Sequence, residues 1–261
     1  MIILKSSEDI ATIKEACAIW KKVRKELMQQ VKVGMTTKQV DNLANDLIRK
    51  YNAQPTFYKL YDFPGYICIS INDELIHGIG SDYVLKPNDM ITCDIGITYK
   101  NHICDSAFTW ILPPNNDIAK QKILATTYSC LMEAIKEIYP NNFLGNISAK
   151  IEEIAQANGY EVIKDYTGHG CGNEPHEDPA VPCFGDKDSG IRLVPNMIIC
   201  IEPMLMEGSD KYKVDSKNKW TVSSRNHKLT CHYEHMVLIT DSGHEILTYE
   251  DGEDAHIKKF K

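Results

Sequence analysis

Four carboxylates stand inside runs that otherwise read as buried strands: Asp94 in 91–97, Asp105 in 103–108, Glu202 in 197–203 and Glu234 in 232–239. An ionised carboxylate in such a run is costly unless a cation pairs with it, and none of the four runs contains Lys or Arg. Four like charges on one sheet would repel one another strongly unless divalent metal sat among them. A fifth candidate ligand, His169, lies in Thr167-Gly168-His169-Gly170-Cys171-Gly172. Its glycines let the backbone turn tightly and bring a side chain into a crowded site. A second histidine follows at His176. One imidazole and four carboxylates make an oxygen-rich set suited to Mn²⁺, Fe²⁺, Co²⁺ or Zn²⁺ without choosing among them. Two divalent ions would balance the four charges, and this chemistry points to a metal-dependent hydrolase.

Two rival chemistries fit less well. Cys171 beside His169 could be a nucleophile and its base, but side chains two apart in a glycine loop rarely align so, and the four acids stay unexplained. A structural calcium site usually takes more ligands and no imidazole.

The elements that must position these residues come in two similar sets. Ile10, Ile13, Ala16, Ile19 and Val23 recur at helical spacing over 8–31, with Ser6 and Asp9 as a capping box. Gly34 then stops the chain and Thr36 caps a second helix. The order repeats with a helical stretch over 117–138, followed by Gly145 and Ser148 ahead of Ile151 and Ile154. Pro87-Asn88 leading to Asp94 parallels Pro195-Asn196 leading to Glu202. Each half supplies a further acid on its next strand, Asp105 or Glu234. The pattern predicts an α+β fold in two pseudo-symmetric halves, about 6–115 and 116–250, with helices on one face of a shared, curved antiparallel sheet. Asp94 and Asp105 should flank a hairpin turning at 99–101. That would set them almost opposite each other, with Cβ atoms about 4.5–5.5 Å apart.

Composition bounds the rest. The 261 residues, 43% hydrophobic and 25% charged, are ordinary for a soluble globular protein. Nine cysteines without a Cys-x-x-Cys pair suggest neither a zinc ribbon nor a disulfide framework. Cys17, Cys68, Cys93, Cys104 and Cys200 read as reduced core residues of a cytoplasmic protein. No run reaches membrane-spanning length, and the start offers no signal-peptide core. A formal charge of −7 argues against DNA or broad nucleic-acid binding. Lys211, Lys213, Lys217, Lys219, Arg225 and Lys228 read as a solvated loop.

In this order the motifs resemble the methionine aminopeptidases of the creatinase/aminopeptidase, or pita-bread, superfamily. The resemblance spans nearly the whole chain. Its anchors are 68–79 with Asn72 and His77, Asp94 with Asp105, Thr167 to Gly170, Pro175-His176-Glu177, Glu202-Pro203 and Tyr233-Glu234-His235. It implies one catalytic domain over 1–261. Asp94 would chelate one metal, His169 and Glu202 the other, and Asp105 and Glu234 would bridge. A bridging water would attack the scissile carbonyl, with Glu202 shuttling its proton. His176 would bind the carbonyl oxygen and His77 the neighbouring amide. Cys68, Phe63, His77 and Trp220 would form the methionine pocket. Asn72 and Thr230 would help hold a monovalent cation. The implied substrate is a nascent polypeptide N-terminus with a small second residue, handled by a monomer that could contact the ribosome.

Departures from the pattern are Pro175, where bacterial relatives usually carry an aromatic residue, Leu60 and Phe57 in place of residues often Tyr and Cys, and His232 in place of Gln. Only 32 residues separate Glu202 from Glu234, so the chain lacks the long insertion of type II enzymes and resembles the bacterial type I form. The alternatives are a proline-specific aminopeptidase of the same superfamily, whose large N-terminal domain has no room here, and a non-catalytic binding protein on this fold.

Overall fold

The computed structural model describes residues 2–260. Helix α1, Ser7–Gln30, starts at a Ser6–Asp9 capping box in which each side chain takes the other residue's main-chain N–H. It buries Ile13, Ala16, Cys17, Trp20, Val23 and Leu27 against the Met90–Tyr99 and His102–Ile111 strands. Trp20 donates its indole N–H to the Ile95 carbonyl at 3.1 Å and meets Phe108 edge-on. Helix α2, Thr37–Lys50, begins at the Thr36 cap the sequence predicts, and Gln39 closes it into a second capping box.

The second half repeats the helix pair but starts it differently. Helix α3 spans Ile118–Ile135, capped by Asp117, and ends three residues short of the expected 138. Helix α4 spans Leu144–Ala157, so Gly145 and Ser148 lie inside it rather than as stop and cap. The reason is tertiary. Leu144 and Gly145 donate their N–H groups to Ile191 and Ser189 carbonyls of a distant loop, which caps the helix from outside. That loop lies so close that a Cβ on Gly145 would come within 2.4 Å of Asp186 O and Ser189 Oγ.

The strands are antiparallel throughout, and the shared sheet is divided. A four-stranded sheet holds Met90–Tyr99 between Gln54–Pro55, Cys68–Ile71 and His102–Ile111. A five-stranded sheet runs His244–Ile246, His235–Ile239, Ile198–Ile201, Thr167–Gly170, Glu177–Pro182. Two three-stranded sheets flank them. The large sheets are stitched at one seam, where Glu234 N–H donates to the Ala107 carbonyl at 2.9 Å and Ser106 Oγ donates to the Glu234 carbonyl. A side-chain hydroxyl there takes the place of a ladder bond, so the two ladders meet without merging. All nine cysteines are free and buried, as core thiols should be. Among the described residues no helix is long and apolar enough to cross a membrane.

Candidate active site

Asp94 and Asp105 sit on two ten-residue strands joined by Lys100 and Asn101, both with positive φ. Two successive left-handed residues make a type I′ turn, whose twist suits a hairpin. The register pairs Asp94 with Ala107 and Gly96 with Asp105. The aspartates are therefore diagonal neighbours on one face, not opposed as expected. The two-residue turn sets the register, and it places eleven-apart residues two positions out of step.

Glu202 lies one residue beyond Ile198–Ile201, and Glu234 one before His235–Ile239. Those strands pair His235 with Ile201, so the two glutamates emerge side by side at the sheet end. His169 comes from Thr167–Gly170, next to Ile198–Ile201. Ligand atoms of Asp105, His169 and Glu234 lie within 4.8 Å of one another, and His169 Nε2 is 3.6 Å from Glu202 Oε1.

The electrostatics are those of a site built for cations. Burial first, and neighbouring carboxylates second, push Asp94 and Glu234 well above their ordinary pKa. Burial raises Asp105 to about 7, with Glu202 adding to it, and raises Glu202 to about 7 against the opposing pull of His169. Among the described residues none of the four is paired with Lys or Arg; Glu202 meets only His169 and His232. Asp94 Oδ1, Asp105 Oδ1 and Glu234 Oε1 are buried without a hydrogen-bond partner. Lone pairs in that condition cost several kcal/mol per ion unless a cation takes them. The residues fit a pair of divalent metals.

One cavity of about 400 Å³ gathers all five of these side chains together with His77, His176, Cys68, Phe63 and Trp220. Phe63, Cys68 and Phe57 form a small apolar cluster apart from the main core, with Leu60 and Trp220 packed on it. Phe63 meets Trp220 edge-on at 5.1 Å. His77 follows the Glu74–Ile76 strand with a φ of 56°. The next residue, Gly78, packs so closely on the Cys68–Ile71 strand that a Cβ there would come within 1.9 Å of the Ile69 carbonyl. Burial lowers His77 to about 4, so it is a neutral imidazole at pH 7 with one N–H to donate. His176 is exposed at the mouth, 4.6 Å from the His169 ring and stacked under Tyr61.

Several contributors escaped the sequence reading. Tyr166 packs edge-on against His77, and Tyr61 supplies the aromatic ring over His176 that Pro175 does not. Asp41 of α2 accepts the N–H groups of Tyr66 and Ile67, fixing the turn into Cys68. Only distant chain contacts reveal these roles. The His232 departure is legible in both: fully buried, its Nε2 lies 3.3 Å from Glu202 Oε2, and burial lowers its pKa to about 3. Cys171 is fully buried, and although the contact of Cys200 pulls its thiol down most, burial and the carboxylates of Asp105 and Glu177 together leave it above the ordinary pKa, which argues against it as a nucleophile. At Asn72 the expected monovalent cation meets competition. The Asn72 carbonyl accepts from Thr230 N–H and Oγ1, and its Oδ1 accepts the Lys120 ammonium at 2.6 Å.

Residues 11–241 match the family model of metallopeptidase family M24. The chain belongs to the M24 metallopeptidases, among the methionine aminopeptidases. It is 40% identical over 251 residues to a methionine aminopeptidase of Mycoplasmoides gallisepticum, covering 95% of this chain and all of that one. Its structure is similar to that of a methionine aminopeptidase from Rickettsia prowazekii, with a TM-score of 0.93 at 28% identity, covering 95% and 100% of the two chains. A second, from Thermotoga maritima, is matched at a TM-score of 0.92 and 33% identity, covering 96% and 100%. Membership in this family makes it a divalent-metal peptide hydrolase with the pita-bread fold.

Proposed function

We propose that this chain, as one catalytic domain, removes methionine from the N-termini of newly made polypeptides whose second residue is small. The observation that carries the reading is the meeting of the unpartnered carboxylates, His169 and the Phe63–Cys68–Trp220 pocket in one cavity. Asp94, Asp105, His169, Glu202 and Glu234 would hold two divalent ions. When bound, the metals supply positive charge, a water acidified for attack and polarisation of the scissile carbonyl.

The chain's own residues do the rest. Glu202, the carboxylate nearest both His169 and His232, takes a proton from the water and delivers it to the leaving amine. His176 donates to the carbonyl oxygen as charge builds there. His77, neutral and braced by Tyr166 and Trp220, donates to the substrate amide. The thioether of methionine is soft and apolar and packs against Phe63, Cys68 and Trp220. The free α-amino group of the substrate would bind a metal held by these acids, which would restrict the enzyme to chain ends.

The oxygen-rich ligand set supports Mn²⁺, Fe²⁺, Co²⁺ or Zn²⁺. A monovalent cation at Asn72 and Thr230 finds less support, because Lys120 already places a positive charge on Asn72. The proline-specific alternative is not favoured, since the matched relatives carry the methionine aminopeptidase name. We also carry forward a cytoplasmic monomer; for ribosome contact, Lys211, Lys213, Lys217, Lys219, Arg225 and Lys228 are exposed on and beside one hairpin.

The test is release of methionine from a Met-Ala peptide across these metals, with bound metal counted on the same sample. Two equivalents of metal and metal-dependent release are expected. No release with any of the four metals, or release only from Xaa-Pro peptides, overturns the reading. His176→Ala should keep both metals and lose kcat by about 10²–10³-fold.

A further inference from the structure

Among the described residues the imidazole of His176 has no hydrogen-bond partner, only the rings of Tyr61 and His169 beside it, and it is exposed, so its position depends strongly on the turn that bears it. That turn, 173–177, is closed by one carboxylate. Glu177 Oε1 accepts the N–H groups of both Asn173, at 2.8 Å, and Glu174, at 2.9 Å. Its other oxygen, Oε2, takes the ammonium of Lys5. The Lys5 side chain is 0% exposed and the Glu177 side chain 2%. Lys5 belongs to the segment ahead of α1, more than 170 positions away in sequence. It is itself anchored: its N–H donates to the Asn196 carbonyl, and its neighbour Ser6 is locked in the α1 capping box.

The lysine stem runs directly beneath the turn. Gly172 has a φ of 129°, and a Cβ there would come within 2.7 Å of Ile13 and 3.1 Å of Lys5 Cε. The Gly172 carbonyl accepts Ile103 N–H at 2.8 Å, from the strand that carries Asp105. The turn is therefore tied to the metal-ligand strand at one end and to the lysine at the other. A buried carboxylate left without its cation would have to move toward water, which releases the two amides it holds, or be protonated, which takes the charge out of those two bonds and weakens them.

We propose that Lys5 is a positioning residue: through its buried contact with Glu177 it holds turn 173–177 in the arrangement that presents His176 to the substrate. This rests on the reading of His176 given above. Lys5 touches neither the cavity nor the metal ligands, so the proposal assigns it to the rate of the reaction and not to metal retention.

The experiment compares Lys5→Met, Lys5→Arg and the Lys5→Met/Glu177→Ala pair with the parent enzyme loaded with Mn²⁺, each with and without His176→Ala. Kinetics use a Met-Ala peptide. Lys5→Met should lose kcat by about 10- to 100-fold, as misplacement of a catalytic group by an ångström does, with KM little changed and bound Mn²⁺ unchanged. His176→Ala should then cost much less in the Lys5→Met background than in the parent. Amide hydrogen exchange at Asn173 and Glu174 should speed up in Lys5→Met and stay slow in Lys5→Arg. Should Lys5→Met not fold, the Lys5→Met/Glu177→Ala pair, which leaves neither a lone buried charge nor an acceptor for the two amides, carries the same readouts. Unchanged kcat with unchanged exchange at the two amides overturns the proposal, as does a His176→Ala penalty of equal factor in both backgrounds. A His176→Ala enzyme with parental kcat removes the reading of His176 instead, and the exchange result alone then decides whether Lys5 pins the turn.

Discussion

The two halves of the molecule deliver the same chemistry by different routes. In the first, Asp94 and Asp105 stand inside long strands joined by a two-residue turn, and local geometry sets their offset. In the second, Glu202 and Glu234 stand just beyond the ends of short strands. The chain between them builds a strand, a hairpin whose first strand is mostly exposed and whose second is mostly buried, and a return strand before coming back. Aspartate is short and suits a position within the sheet face; glutamate, one methylene longer, reaches back from a strand end. The excursion also brings Trp220 to the pocket and His232 to Glu202. The first half thus supplies the two aspartates together with Phe63, Cys68 and His77, and the second half completes the pocket with Trp220.

The sharpest break of this comparison removes one of the proposed metal-holding acids from each half. Asp105→Ala and Glu234→Ala should each lose bound metal and about 10³-fold or more in kcat/KM, the several kcal/mol that metal stabilisation of a developing charge is worth. Metal analysis beside kinetics checks this, and an active Asp105→Ala enzyme would sink the two-metal reading. Next in size is the pocket. Trp220→Ala, in the excursion of the second half, should lower kcat/KM for methionyl peptides by about 10- to 100-fold while leaving the metal count intact. Loss of metal in that variant would show that the metal site and the pocket are not separate.

Metal removal links both halves to pH. Asp105 and Glu202 have folded-state pKa values raised to about 7 from ordinary values of 3.8 and 4.5. A raised pKa means that their contribution to stability is full below the unfolded value and lost as pH rises through the folded one. The chelator-treated protein should therefore weaken between about pH 4 and about pH 7. Divalent metal, binding the deprotonated acids, should raise Tm more at about pH 8 than at about pH 5. Calorimetry with chelator or Mn²⁺ reads both, and an equal metal-induced rise at the two pH values would contradict the assignment. The smallest effect probes the local turn. Lys100 adopts a φ of 48°, which asparagine tolerates better. Lys100→Asn should raise stability by about 0.5 kcal/mol, measured by urea unfolding, without altering activity.

Much of the site was legible because buried charge is rare and its chemistry is narrow. Asp94, Asp105, Glu202 and Glu234 stood out against apolar neighbours, and the structure brings them to one cavity with His169. The Ser6–Asp9 capping box and the Thr36 cap in the first half were legible because such caps close within four residues. The matching start of α4 was not, because a loop more than forty residues downstream supplies its cap. The aspartate offset was misjudged by two positions, since an eleven-residue spacing does not state which turn closes it.

The order of the residues by itself determined the donor set, the helix starts that cap themselves and the pseudo-repeat that places one acid per strand. Tertiary structure alone decided that two ladders join at Glu234 and Ala107, that Tyr61 covers His176, that Asp41 fixes the turn into the pocket and that Lys5 lies beneath Glu177. The division follows range. Hydrogen-bonding choices made within one turn or cap depend on a few adjacent residues, whereas a buried charge finds its partner only after distant segments have packed.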